Sequence, residues 1–543
     1  MNRNNSMVSP KYILTYFVKV LSLISGMAAF MFIMYYIIVI SRGEYHSDCT
    51  DTITWAEAVV DGKALINPDF KYACLLPFGG QLLMVPFVAV FGVGMKAQII
   101  GMVLFAIAFT AALIYLCRSM DFSYKWCSIA VATVLIVLSA SEKLREIFWC
   151  HIIYYSLGVL FLMVGLALVN NILKSEQPKL RHIIILSIWT ILCSTNGSQA
   201  LTIYVLPVIA AVFAERFFNF KTKLFSKENI KPAFLIGIMV ISMVIGLLLS
   251  IIINRGVSAG YQTGYSSYSS SGEWADNFIS FMPGIFKLVG ISPDTDLVMF
   301  SFKGILELVK IIFVLIVLLI PIVMLFMYKH FKELPYRIMI LTHTILSVLL
   351  MLAWTFGKLN SACWRLSPML ATAVILCVMF IRWLYKNKPL ARLSAIAIIP
   401  LIIVCITTVS TVALPSITGK NKPDNEMDGI CEFLEAQELE YGYATFWNAN
   451  IVTLLTDSDI KVRCIRVDDK GATPRMYQTN INWYTDNSYD NYFLLLTESE
   501  YYDYLVSPTY ELPVKSYEYE NYRILVYKHN IMEITPDRLS IYK

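Results

Sequence analysis

The sequence predicts an all-α membrane protein of about eleven transmembrane helices, with an interfacial helix in its first outer loop and a small α/β domain outside the membrane at its C-terminal end. Three observations carry this. Of the 543 residues, 57% are hydrophobic and 15% charged, and the mean hydropathy is +0.61. That balance excludes a soluble globular chain. Apolar runs long enough to span a bilayer recur up to residue 412, and beyond Pro415 they shorten while aromatic and acidic residues rise.

The expected spans are residues 17–40, 97–117, 126–140, 150–173, 183–194, 200–214, 232–253, 306–328, 338–356, 366–381 and 393–412. The first apolar run is too long for a signal-peptide core and lacks a small-x-small cleavage site, so it reads as a retained anchor. Residues 75–94 are apolar too, but contain Pro77, Pro86 and the Gly79-Gly80 pair. Counting them as a short helix at the membrane surface puts every basic short loop on one side: Arg118 and Lys125; Lys174, Lys179 and Arg181; Arg216 to Lys231; Lys329, Lys332 and Arg337; Arg382 to Arg392. The positive-inside rule makes that side cytoplasmic. The N-terminus is then cytoplasmic, in the plasma membrane. The first loop (42–95), the turns 141–149, 195–199 and 357–365, the long loop 255–305 and everything after residue 414 face outward. The domains are therefore 1–414 in the membrane and 415–543 outside it.

The net charge is +5. Its basic residues lie in scattered loops, which excludes a nucleic-acid partner and leaves the 215–231 loop to lie on anionic membrane lipids. The eleven cysteines include no CxxC pair. Most read as small core residues, with Cys49–Cys74 and Cys431–Cys464 as the candidate disulfides. The Ser/Gly/Tyr-rich loop after Gly256 reads either as a surface insertion or as a lid over an outward cavity. In the C-terminal domain, residues 441–447, 461–467, 491–496 and 522–527 read as strands, and 426–437, 450–455 and 498–505 as helices.

The outer loops hold the chemistry. The first is acidic, with Glu44, Asp48, Asp51, Glu57, Asp61 and Asp69. Asp48 and Asp51 are three apart, share a face of a helix, and lie close to the membrane surface. A carboxylate held there can take a proton from an acceptor hydroxyl or bind a divalent cation, with loop solvation as the alternative. The stretch SEKLREIFWCH crowds Glu142, Lys143, Arg145, Glu146 and His151. It reads as mutual salt bridges among Glu142, Arg145 and Glu146, or as a second acidic site facing Asp48; His151 reads as an interfacial histidine or a site member. Arg365, Lys358 and Arg255 run against the positive-inside trend. Such cations bind a lipid phosphate or snorkel to headgroups. Asn196, Ser198 and Gln199 add neutral polar groups at the same level, and the Asn196-Gly-Ser sequon sits in too short a turn to be used.

Together these features resemble the GT-C class of polytopic glycosyltransferases, particularly the protein-mannosyltransferase and aminoarabinose-transferase-like group. The likeness rests on HSDCTD soon after the first span, WAEAVVDG behind it, LLPFGGQLLMVPFVAVFG as an interfacial helix, and an acidic outer loop after the third span. It covers about the first 210 residues. Family members often carry Asp-Glu where Asp48-Cys49 stands, and aspartates where Glu142, Glu146 or His151 stand. The resemblance implies a polyprenyl-phosphate sugar donor, an extracytoplasmic acceptor (glycan, lipid or protein) and inversion at the sugar. Asp48 would be the base with Asp51 in support, and Arg365 or Lys358 would stabilise the leaving phosphate. Some members use a divalent cation, Mg or Mn, for which Asp48 is the candidate ligand. The alternatives are a lipid or glycan transporter or flippase, against which the lack of internal repeats and the near absence of charge within spans weigh, and a catalytically silent envelope-assembly scaffold.

Overall fold

A computed structural model describes residues 10–217, 227–257, 267–291, 297–419 and 424–534. Among them, nine helices are long and apolar enough to cross a membrane: Tyr16–Glu44, Met95–Ser119, Tyr154–Lys174, Ser198–Arg216, Asn229–Ile253, Phe302–Phe326, Leu334–Phe356, Cys363–Lys386 and Arg392–Ile417. The protein is integral to a membrane. The other two expected spans differ from expectation. Tyr124–Val137 is followed at 117° by Glu142–Cys150, a broken span or re-entrant turn, because the charged SEKLRE stretch does not continue an apolar helix. Leu180–Ser194 has only 15 residues, about 22 Å at 1.5 Å per residue, less than a hydrocarbon core of about 30 Å. The span expected from Cys150 begins at Tyr154, since His151 is extended (φ −147°).

Between residues 75 and 94 the chain is helical only over Gln81–Phe91, about 16 Å. Both flanks of this helix meet the same partner. Upstream, β1 (Phe70–Lys71) pairs antiparallel with β5 (Thr479–Asn480). Downstream, the Val93 carbonyl accepts from Ser458 Oγ at 2.6 Å, and Met95 N–H donates to Asp457 Oδ1 at 2.8 Å. The chain thus returns to the side it left. Gly94 permits this approach, since a Cβ there would collide with Asp457.

The C-terminal unit is built on a six-stranded sheet. Its strands are β2 (Tyr441–Thr445), β3 (Lys461–Asp468), β4 (Gly471–Pro474), β6 (Tyr492–Thr497), β7 (Lys515–Tyr519) and β8 (Tyr522–Tyr527), in the order β4-β3-β2-β6-β8-β7. The central β3-β2-β6 pairs are parallel, and β2 and β6 are almost wholly buried, as parallel strands covered on both faces must be. Helices Asp428–Ala436, Ala449–Leu455 and Glu498–Leu505 match the expected ones; the last is closed by a Thr497/Glu500 capping box. The edge strands β4 and β7 were not expected: one is a Gly-Ala-Thr-Pro run, and the other, KSYEY, is largely exposed.

The first loop docks on this unit at several points. Arg42 pairs with Asp428 at 2.5 Å, Asn425 Nδ2 donates to the Arg42 and Tyr45 carbonyls, and Ser47 Oγ donates to the Trp447 carbonyl at 2.8 Å. Glu57 meets Arg463 at 3.5 Å, and the Arg463 guanidinium lies 3.6 Å from the Trp483 ring centre. All eleven cysteines are free thiols, so neither expected disulfide forms; the four thiols concerned are buried packing groups.

Arg463 is 3% exposed, so truncating it strands the Glu57 carboxylate in the interface. Arg463→Ala is expected to cost about 3 kcal/mol, read as a lowered Tm in detergent. The double variant Glu57→Gln/Arg463→Met should recover part of that loss; equal Tm values for single and double variants would refute the pairing.

Candidate active site

The acid-bearing turn follows the first span directly. Ser47–Thr50 forms a 3-10 turn and Asp51–Gly62 an α-helix. Thr50 and Thr54 hydroxyls cap successive carbonyls, while Cys49, Ile53, Trp55 and Ala56 are buried beneath. This turns Asp48 and Asp51 toward a cavity of about 650 Å³, and both line it. They straddle the junction of the turn and the helix rather than sharing one helix. The Asp48 carboxylate is half-buried and has no hydrogen bond or ion pair among the described residues. Asp51 is buried, with no partner for Oδ1. Burial, reinforced by the Asp48 charge, pushes the Asp51 carboxyl well above the usual carboxylate range.

The second outer turn supplies the facing groups. Ser141 caps Glu142–Arg145, and a π-turn over Glu146–Cys150 follows. The expected mutual salt bridges do not form as a set. Arg145 leaves its own helix and grips Glu44, with Nη2–Oε1 at 2.5 Å and Nε–Oε2 at 2.9 Å, while Tyr36 OH donates to the same carboxylate at 2.6 Å. Glu146 pairs with Lys143 and with His46 Nε2, the latter at 3.2 Å. Glu146 and His151 line the cavity; Glu142 is exposed and does not. His151 Nδ1 lies 2.9 Å from the Asp48 carbonyl, and its buried Nε2 has no partner. Burial works against ionisation of Glu146, but the His46 bond with His151, His46 and Lys143 nearby outweighs it and holds the carboxyl at about 2. Burial likewise opposes the His46 imidazolium, and the Glu146 carboxylate raises it above its ordinary value. His151 is lowered by burial.

Arg365 lines the same cavity, 7% exposed, donating from Nη1 to the Lys358 carbonyl at 2.7 Å. Trp364 beside it faces Lys143 Nζ, 4.6 Å from its ring centre. Lys358 contributes that carbonyl rather than its exposed ammonium. Arg255 is exposed just beyond its helix, and neither lysine nor Arg255 lines the cavity. Tyr154, Tyr155, Ser198 and Gln199 complete the polar wall; Leu349, Leu350, Ala353 and Phe356 form an apolar one. Asn196, 4% exposed, instead brackets the Phe78 backbone with two 2.9 Å bonds. From the long loop, Ser267 and Tyr268 reach the cavity; residues 258–266 of that loop, and 218–226 of the basic loop, lie outside the described residues.

Sequence reasoning missed His46, although it stands two residues from Asp48, the Tyr154–Tyr155 pair, Trp364, and Tyr477, which the C-terminal unit contributes to the wall. An aromatic pair opening an apolar span and a tryptophan preceding the outer arginine were the available signals.

Among the described residues no three His, Cys, Asp or Glu side chains are grouped to hold a metal ion.

No family model matches the chain, and no curated protein does. Solved structures do. The chain is similar to ArnT from Cupriavidus metallidurans bound to undecaprenyl phosphate, at 10% identity over 95% of this chain and 99% of that one, with a TM-score of 0.47. It is similar to the same protein in the apo state, at 11% identity over 89% and 94%, with a TM-score of 0.37. It is also similar to the Archaeoglobus fulgidus oligosaccharyltransferase tethered with an acceptor peptide, at 11% identity over 82% of this chain and 64% of that one, with a TM-score of 0.38.

The His46–Glu146 pair makes stability pH-dependent. The folded His46 value lies above the unfolded one, so the pair's contribution is full below about pH 6.5 and is lost as pH rises through the raised value. Glu146→Gln is therefore expected to lower stability by on the order of 1 kcal/mol more at pH 6 than at pH 8.5. Tm measured at both pH values checks this; an equal loss at both would refute it.

Proposed function

We propose that this protein is an inverting membrane glycosyltransferase that moves a sugar from a polyprenyl-phosphate donor to an extracytoplasmic acceptor. One observation carries the reading: Asp48, with a carboxylate free of partners, and Arg365, a buried guanidinium, stand on the walls of one cavity that also has an apolar face. The apolar face suits a lipid tail, and the guanidinium suits a phosphate.

In this reaction the acceptor hydroxyl gives its proton to Asp48 as its oxygen attacks the anomeric carbon. The bond from that carbon to the phosphate oxygen breaks, and the electron pair leaves with the lipid phosphate. Arg365 meets the developing charge, acting where the transition state differs most from the ground state. A single displacement inverts the sugar. Burial and the Asp48 charge oppose ionisation of Asp51, which supports Asp48 as the base rather than replacing it. Glu146 and His151 complete the acidic wall beside Asp48 and Asp51, with Glu146 kept anionic by His46 and Lys143.

The basic loops support a cavity on the outer face of the plasma membrane, with residues 415–543 outside and the N-terminus in the cytoplasm. In this arrangement Gln81–Phe91 lies at the interface.

Asp48→Asn is expected to lower sugar transfer from a polyprenyl-phosphate donor by about 10²–10⁴-fold at unchanged Tm, because the lost group has no structural partner. Arg365→Ala should lower it by about 10²-fold or more. Transfer assays with purified protein check both, and normal transfer by Asp48→Asn would overturn the reading.

A further inference from the structure

The C-terminal unit does more than cover the outer loops. At Tyr477–Gln478 it enters the cavity wall: Tyr477 lines the cavity, and Gln478 is fully buried behind Asp51. Gln478 holds a left-handed backbone conformation, φ +53°, which is strained for a non-glycine residue and is kept only where the surroundings demand it. They do. Its N–H donates to the Lys71 carbonyl at 2.7 Å, anchored by the β1–β5 pairing next to it.

The side-chain amide has one allowed orientation. Trp55 Nε1–H donates to Oε1 at 2.7 Å and Ala73 N–H donates to the same oxygen at 3.3 Å. An NH₂ group cannot accept either bond, so the oxygen must face these donors. Nε2 is left facing Asp51 without a closed hydrogen bond, and the buried Asp51 Oδ1 likewise has none. A buried donor and a buried acceptor side by side, each unsatisfied, form a bond that needs only a small adjustment of the wall.

We infer that Gln478 is a positioning residue of the Asp48–Asp51 wall, so that the C-terminal unit is an integral part of the site rather than an appended module. The chain Trp55–Gln478–Asp51 sets where the Asp51 carboxyl points and supplies it with a donor. The inference deepens the sugar-transfer reading and rests on it only for the catalytic consequence. The groups facing Asp51 are Asp48, Glu146, Cys74 and Gln478. Among them Gln478 alone offers a neutral N–H donor, which favours the ionised carboxyl.

Gln478→Leu keeps the side chain's bulk and removes the donor toward Asp51, with the acceptor for Trp55 and Ala73, without adding a charge. In the full chain in detergent, modification of Asp51 by a hydrophobic carbodiimide, which attacks protonated carboxyls, is followed against pH by peptide mass spectrometry. The half-point should rise by about one pH unit or more relative to wild type. Transfer should fall about tenfold because the Asp51 carboxyl is no longer held in one direction, with the donor KM within about twofold of wild type. An unchanged half-point in a folded variant overturns the inference. Gln478→Ala is read in the same way; loss of folded protein in both variants makes the residue structural and also overturns it. Because the labelling needs no substrate, a shifted half-point in a protein that transfers no sugar would uphold Gln478 and overturn the transfer reading alone.

Discussion

The grip of Arg145 on Glu44 is the interaction on which the outer face of this protein depends. The two residues lie 101 positions apart, at the end of the first span and in the second arm of the bent third segment. Their side chains are 11% and 22% exposed, so the paired charges sit in a medium where a bidentate, charge-assisted bond is strong and an unpaired partner is costly. Tyr36 completes the carboxylate's coordination from within the first span. With these two loops fixed together, the Asp48 carbonyl meets His151 and Glu146 meets His46. The cavity's acidic wall is thus assembled from two turns that no local propensity would bring into register.

The opposite requirement, closing the wall from outside the membrane, falls to the C-terminal unit. Its central parallel strands are buried and rigid, and its contacts to the first loop run from Arg42 to Met95. Those contacts explain why so long a first loop exists. A shorter connection would not reach Asp428, Arg463, Gln478 and Asp457 in turn. They also explain the short Gln81–Phe91 helix, which returns the chain to the unit it had just left and ends where Gly94 lets Asp457 approach.

Much of this was legible in the residues. Apolar length marked the long spans, and Pro77, Pro86 and the paired glycines marked 75–94 as a broken stretch, which holds only the short helix Gln81–Phe91. Buried β-branched and aromatic runs marked β2, β3, β6 and β8, and both Asp48 and Arg365, singled out by sequence, stand on one cavity. What was not legible depends on partners far away in the chain. The helix-face spacing of Glu142, Arg145 and Glu146 suggested a local network, but Arg145 finds a better-buried carboxylate in Glu44. Edge strands β4 and β7 carry little apolar signal because solvent or loops cover them. Lys358 and Arg255 looked equivalent to Arg365 by charge and level, and only burial separates them. Gln478 carried no signal at all, since a neutral amide in a polar stretch acquires its meaning from Trp55, Ala73 and Asp51.

The central claim is that Asp48 and Arg365 work on one ligand in one cavity. The most direct measurement is single-particle density of the full chain with a polyprenyl monophosphate added. The account predicts the phosphate against the Arg365 guanidinium, the tail along Leu349–Phe356, and the end that would carry the sugar directed toward Asp48. Lipid density at another site, with the cavity free of phosphate, would contradict it.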